Sequence, residues 1–293
     1  MPHTVILDFD NTMGVPNCDV DDGLALLHLL GCTDVDVLGL CTSYGNSSID
    51  IVHDNTLRML NEWKLNLPVY RGAANPDKPV SDAARYLAEQ AAAHSGEITI
   101  LATGSLTNLH GASLVSPSFF RDVRSVFIMG GIERSLVING RIMNELNLTC
   151  DPLATESLLR SGCSITVATA QTCLDAFFTR KDFTGAFGAD SWLTHTCKPW
   201  FETMASWYDW NGFACWDVVA AAALTHPELF RTRELPVTLN KELLGLGYLE
   251  RAEPDAPCAI INAPVIADPQ AFTQFVLRSW ERGLSRIDGG SSC

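Results

Sequence analysis

The feature that most limits what this chain can fold into is a regular alternation, through its first half, of short apolar runs with longer amphipathic ones. Val5 to Leu7, Val35 to Cys41, Ile98 to Ala102, Val126 to Met129 and Ile165 to Ala168 are rich in β-formers and bounded by polar residues or glycine. Between them, Asp22 to Leu30, Ile51 to Trp63, Asp82 to Ala93, Leu106 to Leu114 and Pro152 to Arg160 have helical character. The last has a definite start, because Asp151 can cap it and Pro152 suits the first helical position. Strand, helix, strand at this spacing predicts an α/β fold, an open and mostly parallel sheet with helices on both faces. Beyond Thr169 the pattern changes to a long helical region, Arg180 to Thr225, crowded with aromatics. A strand pair (Leu235 to Leu239 and Ala259 to Asn262) and a last helix (Pro269 to Arg282) follow. No repeat or low-complexity linker interrupts residues 1–293, so one domain is expected.

Charge and cysteine usage argue against several classes of function. With 34 acidic against 20 basic residues the net charge is −14, which argues against affinity gained by neutralising nucleic-acid phosphates. The ten cysteines are dispersed with no CxxC pair, unlike a zinc ribbon or a secreted disulfide scaffold. The amino terminus lacks the basic and apolar segments of a signal peptide, and no run approaches the about 18 apolar residues of a membrane span. A cytoplasmic protein without nucleic-acid or membrane partners is expected. The histidines show no metal-binding spacing, although His195, with Glu202 and Asp209, could reach a pocket from the late helical region.

In open parallel sheets, ligands bind beyond the carboxyl ends of the strands. The residues there are acidic and amide-rich: Asp8 and Asp10, Thr42 to Asn46, Thr103-Gly104, then Gly130-Gly131 and a loop running to Asn147. Asp19, Asp21 and Asp22 arrive where the first helix should begin. Carboxylates crowded in this way resist ionising together, and a hard divalent cation would relieve them. An acid that merely caps the helix is the plainer alternative. Val5-Ile6-Leu7-Asp8-Phe9-Asp10-Asn11-Thr12 also resembles the strand and DxDx(T/V) motif of haloacid dehalogenase-type phosphatases, with Asp8 as nucleophile and Asp10 as acid and base. The lysine such enzymes use is missing, since Lys181, Lys198 and Lys241 follow no expected strand of the sheet.

A second resemblance covers far more of the chain, from about Val5 to Glu228. Asp8-Phe9-Asp10 followed by Asp21-Asp22-Gly23 resembles the DxDxxxDD loop of the nucleoside hydrolases, calcium-dependent enzymes that cleave the N-glycosidic bond of ribonucleosides on a Rossmann-type core. Thr42-Ser43-Tyr44-Gly45-Asn46, Pro68 to Ala73, Leu101 to Asn108, Ile128 to Gly131, Asn139 with Glu145-Leu146-Asn147, Asp151-Pro152 and Trp216-Asp217 follow in the family's order.

That resemblance implies a site. Ca2+ would be held by Asp10, Asp22, Asp217 and the Thr103 carbonyl, with Asp10 placed to take a proton from the attacking water. Asp21 and Asn147 would bind the 2′ and 3′ hydroxyls, Asn139 and Glu145 the 5′ hydroxyl, and Asn46 would lie beside the reacting sugar. Taken singly, Asp217 reads as a helix cap and Asn46 and Asn139 as turn residues. Two departures stand out. Residues 11–20 lengthen the first loop, so either it bulges or Asp19 substitutes for one of the acids. Trp216 replaces the histidine that many members use to protonate the leaving base, which implies stacking on a purine; of Trp200, Phe201, Trp207, Tyr208, Trp210, Phe213 and Trp216, about two at most are expected at substrate, the rest being core. The expected partner is a ribonucleoside, the expected assembly a homodimer or homotetramer. A homologue that binds nucleoside without turnover is the other alternative.

Overall fold

The structure is a computed structural model that describes residues 3–289; Cys293, among the dispersed cysteines, lies outside them. Its strands in chain order are β1 (His3–Phe9), β2 (Val35–Thr42), β3 (Val69–Tyr70), β4 (Ile98–Ala102), β5 (Ser125–Met129), β6 (Leu136–Ile138), β7 (Arg141–Met143), β8 (Ile165–Ala168), β9 (Phe177–Thr179), β10 (Gly212–Ala214), β11 (Phe230–Arg231), β12 (Glu234–Thr238), β13 (Cys258–Asn262) and β14 (Val265–Ile266). The helices are α1 (Asp21–Gly31), α2 (Ile49–Glu62), α3 (Asp82–Ala93), α4 (Thr107–Val115), α5 (Phe119–Asp122), α6 (Pro152–Leu159), α7 (Ala170–Cys173), α8 (Arg180–Phe187), α9 (Trp192–Tyr208), α10 (Trp216–Thr225), α11 (Lys241–Leu244) and α12 (Pro269–Gly289).

Eight strands form one sheet in the order β12-β13-β8-β5-β4-β1-β2-β3, parallel throughout except that β12 runs against β13. The expected α/β sheet is therefore present. Period-2 alternation decides what each face buries. Val5, Leu7 and Phe9 belong to a core shared with α1, α10 and α12, whereas Ile6 faces the opposite core with residues of α3, α4 and α6. The helix of the expected Asp151 cap begins as the sequence implies: the Asp151 carboxylate accepts the Ala154 N–H and Pro152 occupies the first turn.

α1 and α12 pack at close range. A Cβ on Gly31 would stand 2.0 Å from the Ser279 carbonyl oxygen, and one on Gly283 would stand 2.3 Å from that of Leu27. The indole of the buried Trp280 donates to the Leu24 carbonyl at 2.9 Å, so a helix from the end of the chain fixes the first one.

The expectation of one long helical region from Arg180 to Thr225 is corrected. Helix α8 stops at Gly188, whose φ of 87° suits glycine, and α9 stops at Asp209 in the left-handed region. β10 then pairs antiparallel with β9 before α10 begins, so the segment is three helices and a strand.

Candidate active site

Strand β1 has β2 on one side and β4 on the other, and the connections leave it in opposite directions. This is the switch point where an open α/β sheet forms a crevice at its carboxyl edge. The strand ends are held level: Thr103 N–H donates to the Asp8 carbonyl at 2.8 Å and Ser43 N–H to that of Phe9 at 2.9 Å. Asp10 leaves β1 here, while α1 starts with Asp21-Asp22 and α10 with Trp216-Asp217. Two helix amino termini thus bring partial positive charge to the same place.

Asp10, Asp21, Asp22 and Asp217 converge there, none more than 3% exposed. Carboxylate oxygens of Asp21, Asp22 and Asp217 lie within 4.8 Å of one another. Asp10 is tied to the group through Asn46, whose side-chain amide donates to Asp10 Oδ1 and to Asp22 Oδ2, both at 3.3 Å. Thr103 Oγ1 donates to Asp22 Oδ1 at 2.8 Å, and Asp217 N–H donates to Asp21 Oδ2 at 3.2 Å.

The lengthened first loop bulges, and the acids still meet. Successive turns carry it, with Val15 N–H donating to the Thr12 carbonyl at 2.8 Å and Cys18 N–H to that of Val15 at 3.2 Å. The amide of Asn55 in α2 anchors it by donating to the carbonyls of Asn11 and Met13 at 3.1 and 3.2 Å. Asp19 turns to the backbone, accepting the N–H groups of Val20 at 2.7 Å and Asp21 at 3.3 Å while also lining the cavity.

Burial pushes every acid of the cluster up. Asp10 rises to about 6, the N–H of Asn46 opposing part of that shift. Asp22 and Asp217 are raised well above the usual carboxylate range by burial and then by their acidic neighbours, and Asp21 is raised by burial. No lysine or arginine lines the adjoining cavity among the described residues. Four buried carboxylates with no side-chain cation among them are an oxygen-only donor set, and that chemistry fits a hard divalent ion.

The cavity beside the cluster, of about 190 Å3, is lined by Asp21, Asn46, Thr103, Glu145, Asn147, Trp216 and Asp217 among others. Asn147 is fixed by its amide, which donates to the carbonyls of Thr103 at 2.8 Å and Met129 at 3.1 Å. Glu145 accepts the N–H groups of Gly131, Leu148 and Thr149 at 3.1, 2.9 and 3.0 Å. Asn139 is not brought to the cavity. It sits exposed on the β6–β7 turn with a φ of 48°, its amide donating to the carbonyls of Tyr208 and Asp209 at 3.0 and 2.8 Å.

Sequence reasoning missed Asn144 and the β6–β7 contributions, Leu136 and Met143, which also line the cavity. Three-residue strands give too little alternation to be read. More of the aromatics than expected face the cavity: Trp200, Trp207, Tyr208 and Trp216 line it, whereas Phe201 and Phe213 lie in the core. Trp210 backs Trp216, with ring centroids 6.4 Å apart. His195 is exposed and lines a different cavity, while Glu202 pairs with Arg180 and Lys198 and Asp209 ends α9. Asp8, the nucleophile of the phosphatase reading, is fully buried against Asn108 and does not line the cavity.

Residues 5–272 match the family model for inosine-uridine preferring nucleoside hydrolase. The chain is 25% identical over 263 residues to a protein of Oryza sativa subsp. japonica named "Probable uridine nucleosidase 2", covering 78% of each chain. Among solved structures, a plant nucleoside hydrolase superposes with a TM-score of 0.83 at 23% identity, covering 96% of this chain and 99% of that one. A purine-preferring ribonucleoside hydrolase from Gardnerella vaginalis gives 0.81 at 18% identity, with the same coverage. The sequence blocks, the acidic crevice at the switch point and the match across most of the chain agree: this protein belongs to the inosine-uridine preferring nucleoside hydrolases.

Proposed function

We propose that the enzyme hydrolyses the N-glycosidic bond of purine ribonucleosides with the help of Ca2+, releasing free base and ribose. The observation that carries this reading is a cluster of four buried carboxylates, two of which line a cavity whose walls also carry amides and aromatic rings. Cleavage of such a bond develops oxocarbenium character on the sugar, so the site must deprotonate a water, grip the ribose and accommodate a departing base.

Asp10 is the group to take the proton from the attacking water, since its carboxylate leaves β1 at the cluster and Asn46 holds both of its oxygens. Bound by Asp10, Asp22, Asp217 and the Thr103 carbonyl, Ca2+ would acidify that water and steady the ribose hydroxyls. The Asp21 carboxylate and the Asn147 side-chain carbonyl, at the cavity wall, accept from the 2′ and 3′ hydroxyls, the Asn147 amide N–H groups being held by the Thr103 and Met129 carbonyls. A sugar lacking one of these leaves buried polar groups unpaired, which favours ribose over deoxyribose. The 5′ hydroxyl falls to Glu145 with Asn144 beside it rather than Asn139, whose amide is occupied by the end of α9. Asn46 orients Asp10 beside the reacting carbon.

Trp216 supports the purine preference. Its indole lines the cavity together with Trp200 and Trp207, and stacking grows with the area of the base. The relatives' names span both classes, from uridine nucleosidase to purine-preferring hydrolase. A reducing-sugar assay on inosine, adenosine, guanosine, uridine and cytidine, with and without chelator and with Asp10→Ala alongside, tests the reading. Faster turnover of pyrimidines would overturn the base preference, and full activity in chelator would overturn the metal. The same reading takes the enzyme to be a homodimer or homotetramer, which sedimentation would decide.

A further inference from the structure

Helices α1 and α10, which point their amino termini at the acidic cluster, also bring their carboxyl termini together, about 15 Å away for helices of this length. There α1 ends at Cys32 and α10 at His226, each the residue that caps its helix. His28, one turn before Cys32, completes a group whose ligand atoms lie within 4.8 Å of one another. We propose that His28, Cys32 and His226 form a second metal site, one that takes Zn2+ in preference to Ca2+ and is separate from the active site.

Geometry and donor chemistry both point to zinc. Cys32 Sγ stands 3.7 Å from His28 Nε2. A sulfur and a nitrogen bound to one tetrahedral Zn2+ at about 2.3 and 2.0–2.1 Å are themselves about 3.6 Å apart. His28 Nε2 and His226 Nδ1 each lie 2.9 Å from the same atom, Thr225 Oγ1, so both rings aim at one point. The Thr225 hydroxyl donates to the Ala221 carbonyl at 3.0 Å, and rotating this side chain about its first bond frees the space between the rings. The other nitrogen of His28 is 2.7 Å from Ser279 Oγ on α12, the outer hydrogen bond that commonly fixes the orientation of a ligating imidazole. A thiol and two imidazoles are a softer set than the carboxylates of the active site, which separates the two sites by metal preference.

The surrounding charges are mixed. The carboxyl ends of two helices favour a cation, and Asp34 and Glu228 bear on His226 in the same sense. Arg282 and His3 oppose it, Arg282 also donating to the Gly31 carbonyl at 2.9 Å. Metal binding releases the Cys32 thiol proton to solvent, and the thiolate formed offsets part of that opposition. His226 is half-buried and gives the ion a path inward, whereas His28 and Cys32 are buried. Occupied, the site would pin the ends of α1 and α10 together against α12.

The test uses full-length protein stripped of metal and then saturated with Ca2+, so that the acidic cluster is filled before Co2+ is titrated in. The expected result is one equivalent of Co2+ giving sulfur-to-cobalt charge-transfer absorption with the intense visible bands of a tetrahedral ion, bleached by added Zn2+. Cys32→Ser should abolish the charge transfer. His226→Asn, at the more open position, should weaken Co2+ binding at least tenfold while circular dichroism stays that of the wild type. Absence of charge transfer in the wild type would overturn the proposal. So would an undiminished spectrum in either variant, since the sulfur would then come from another cysteine or the ring would not be a ligand.

Discussion

The backbone N–H of Asn46 donates to Asp10 Oδ2 at 2.5 Å while its side-chain amide reaches Asp10 Oδ1 at 3.3 Å, so one residue grips both oxygens of the proposed base. The same amide touches Asp22. Replacing Asn46 by Ala keeps the backbone bond and removes the side-chain ones. Hydrogen bonds to charged groups are worth about 1.5–3 kcal/mol, which corresponds to a fall in kcat of about ten- to a hundredfold. Steady-state kinetics on the preferred nucleoside check this, and an unchanged kcat would remove Asn46 from the site.

Gly45, the preceding residue, is required by proximity. A Cβ there would stand 2.0 Å from Asp10 Oδ2. Gly45→Ala should displace the Asp10 carboxylate, weaken Ca2+ binding by at least about tenfold and leave the melting temperature within about 4 °C of the wild type, because the core beneath is untouched. Isothermal calorimetry with Ca2+ alone reads the first quantity and thermal unfolding the second.

Much of this site was legible in the chain because its parts follow strand ends that alternate clearly. Asp10 and Thr103 come directly after β1 and β4, Asn46 lies in the loop after β2, and Asp22 and Asp217 open helices that are apolar and buried almost all round. What was not legible lies where local signals are short or shared. Trp200, Phe201 and Tyr208 all lie on α9, and only the breaks at Gly188 and Asp209 and the pairing of β10 with β9 decide which rings line the cavity. The turn at Asn139 illustrates the converse. Its motif position pointed to the sugar, but the hairpin around it spends the amide on the end of α9.

Removing the divalent ion should cost stability as well as activity, and more so at high pH. In the absence of metal, burial holds Asp10 protonated up to about pH 6, whereas an unfolded aspartate loses its proton near pH 4. Unfolding then releases protons between these values, so stability falls as pH rises through that window. Chelator should therefore lower the melting temperature more at pH 7.5 than at pH 5, and Ca2+ should restore both stability and sugar release. Equal chelator effects at the two pH values would contradict the proposed cluster.

Asp8 extends the same argument to a group outside the cavity. Its carboxyl is fully buried, accepts one hydrogen bond from the Asn108 amide at 2.8 Å, and leaves Oδ2 without a partner. Burial raises it to about 8. The folded protein thus holds this proton until about pH 8, and the stability it confers at low pH is lost progressively from about pH 4 to pH 8. Asp8→Asn keeps the shape and removes the ionisation. The variant should match the wild type near pH 4.5 and melt at least about 2 °C higher at pH 8. A variant less stable than wild type at pH 8 would show that Asp8 is needed as an anion.

In the proposed function, Trp216 separates base recognition from sugar recognition. Its ring lines the cavity with Trp210 behind it, while Asp21 and Asn147, proposed to hold ribose, come from other elements. Stacking of a base on an aromatic ring is worth about 1–3 kcal/mol, so Trp216→Ala should lower kcat/KM for inosine by about five- to a hundredfold and for uridine by less. Trp216→His tests the missing acid at the same position. An imidazole there can donate a proton to the departing base only while charged, so the variant should gain a decline in activity above about pH 6.5 that the wild type lacks. If Trp216→Ala reduced both nucleosides equally, the indole would be serving the ribose grip or the fold, and the basis for a purine preference would be gone.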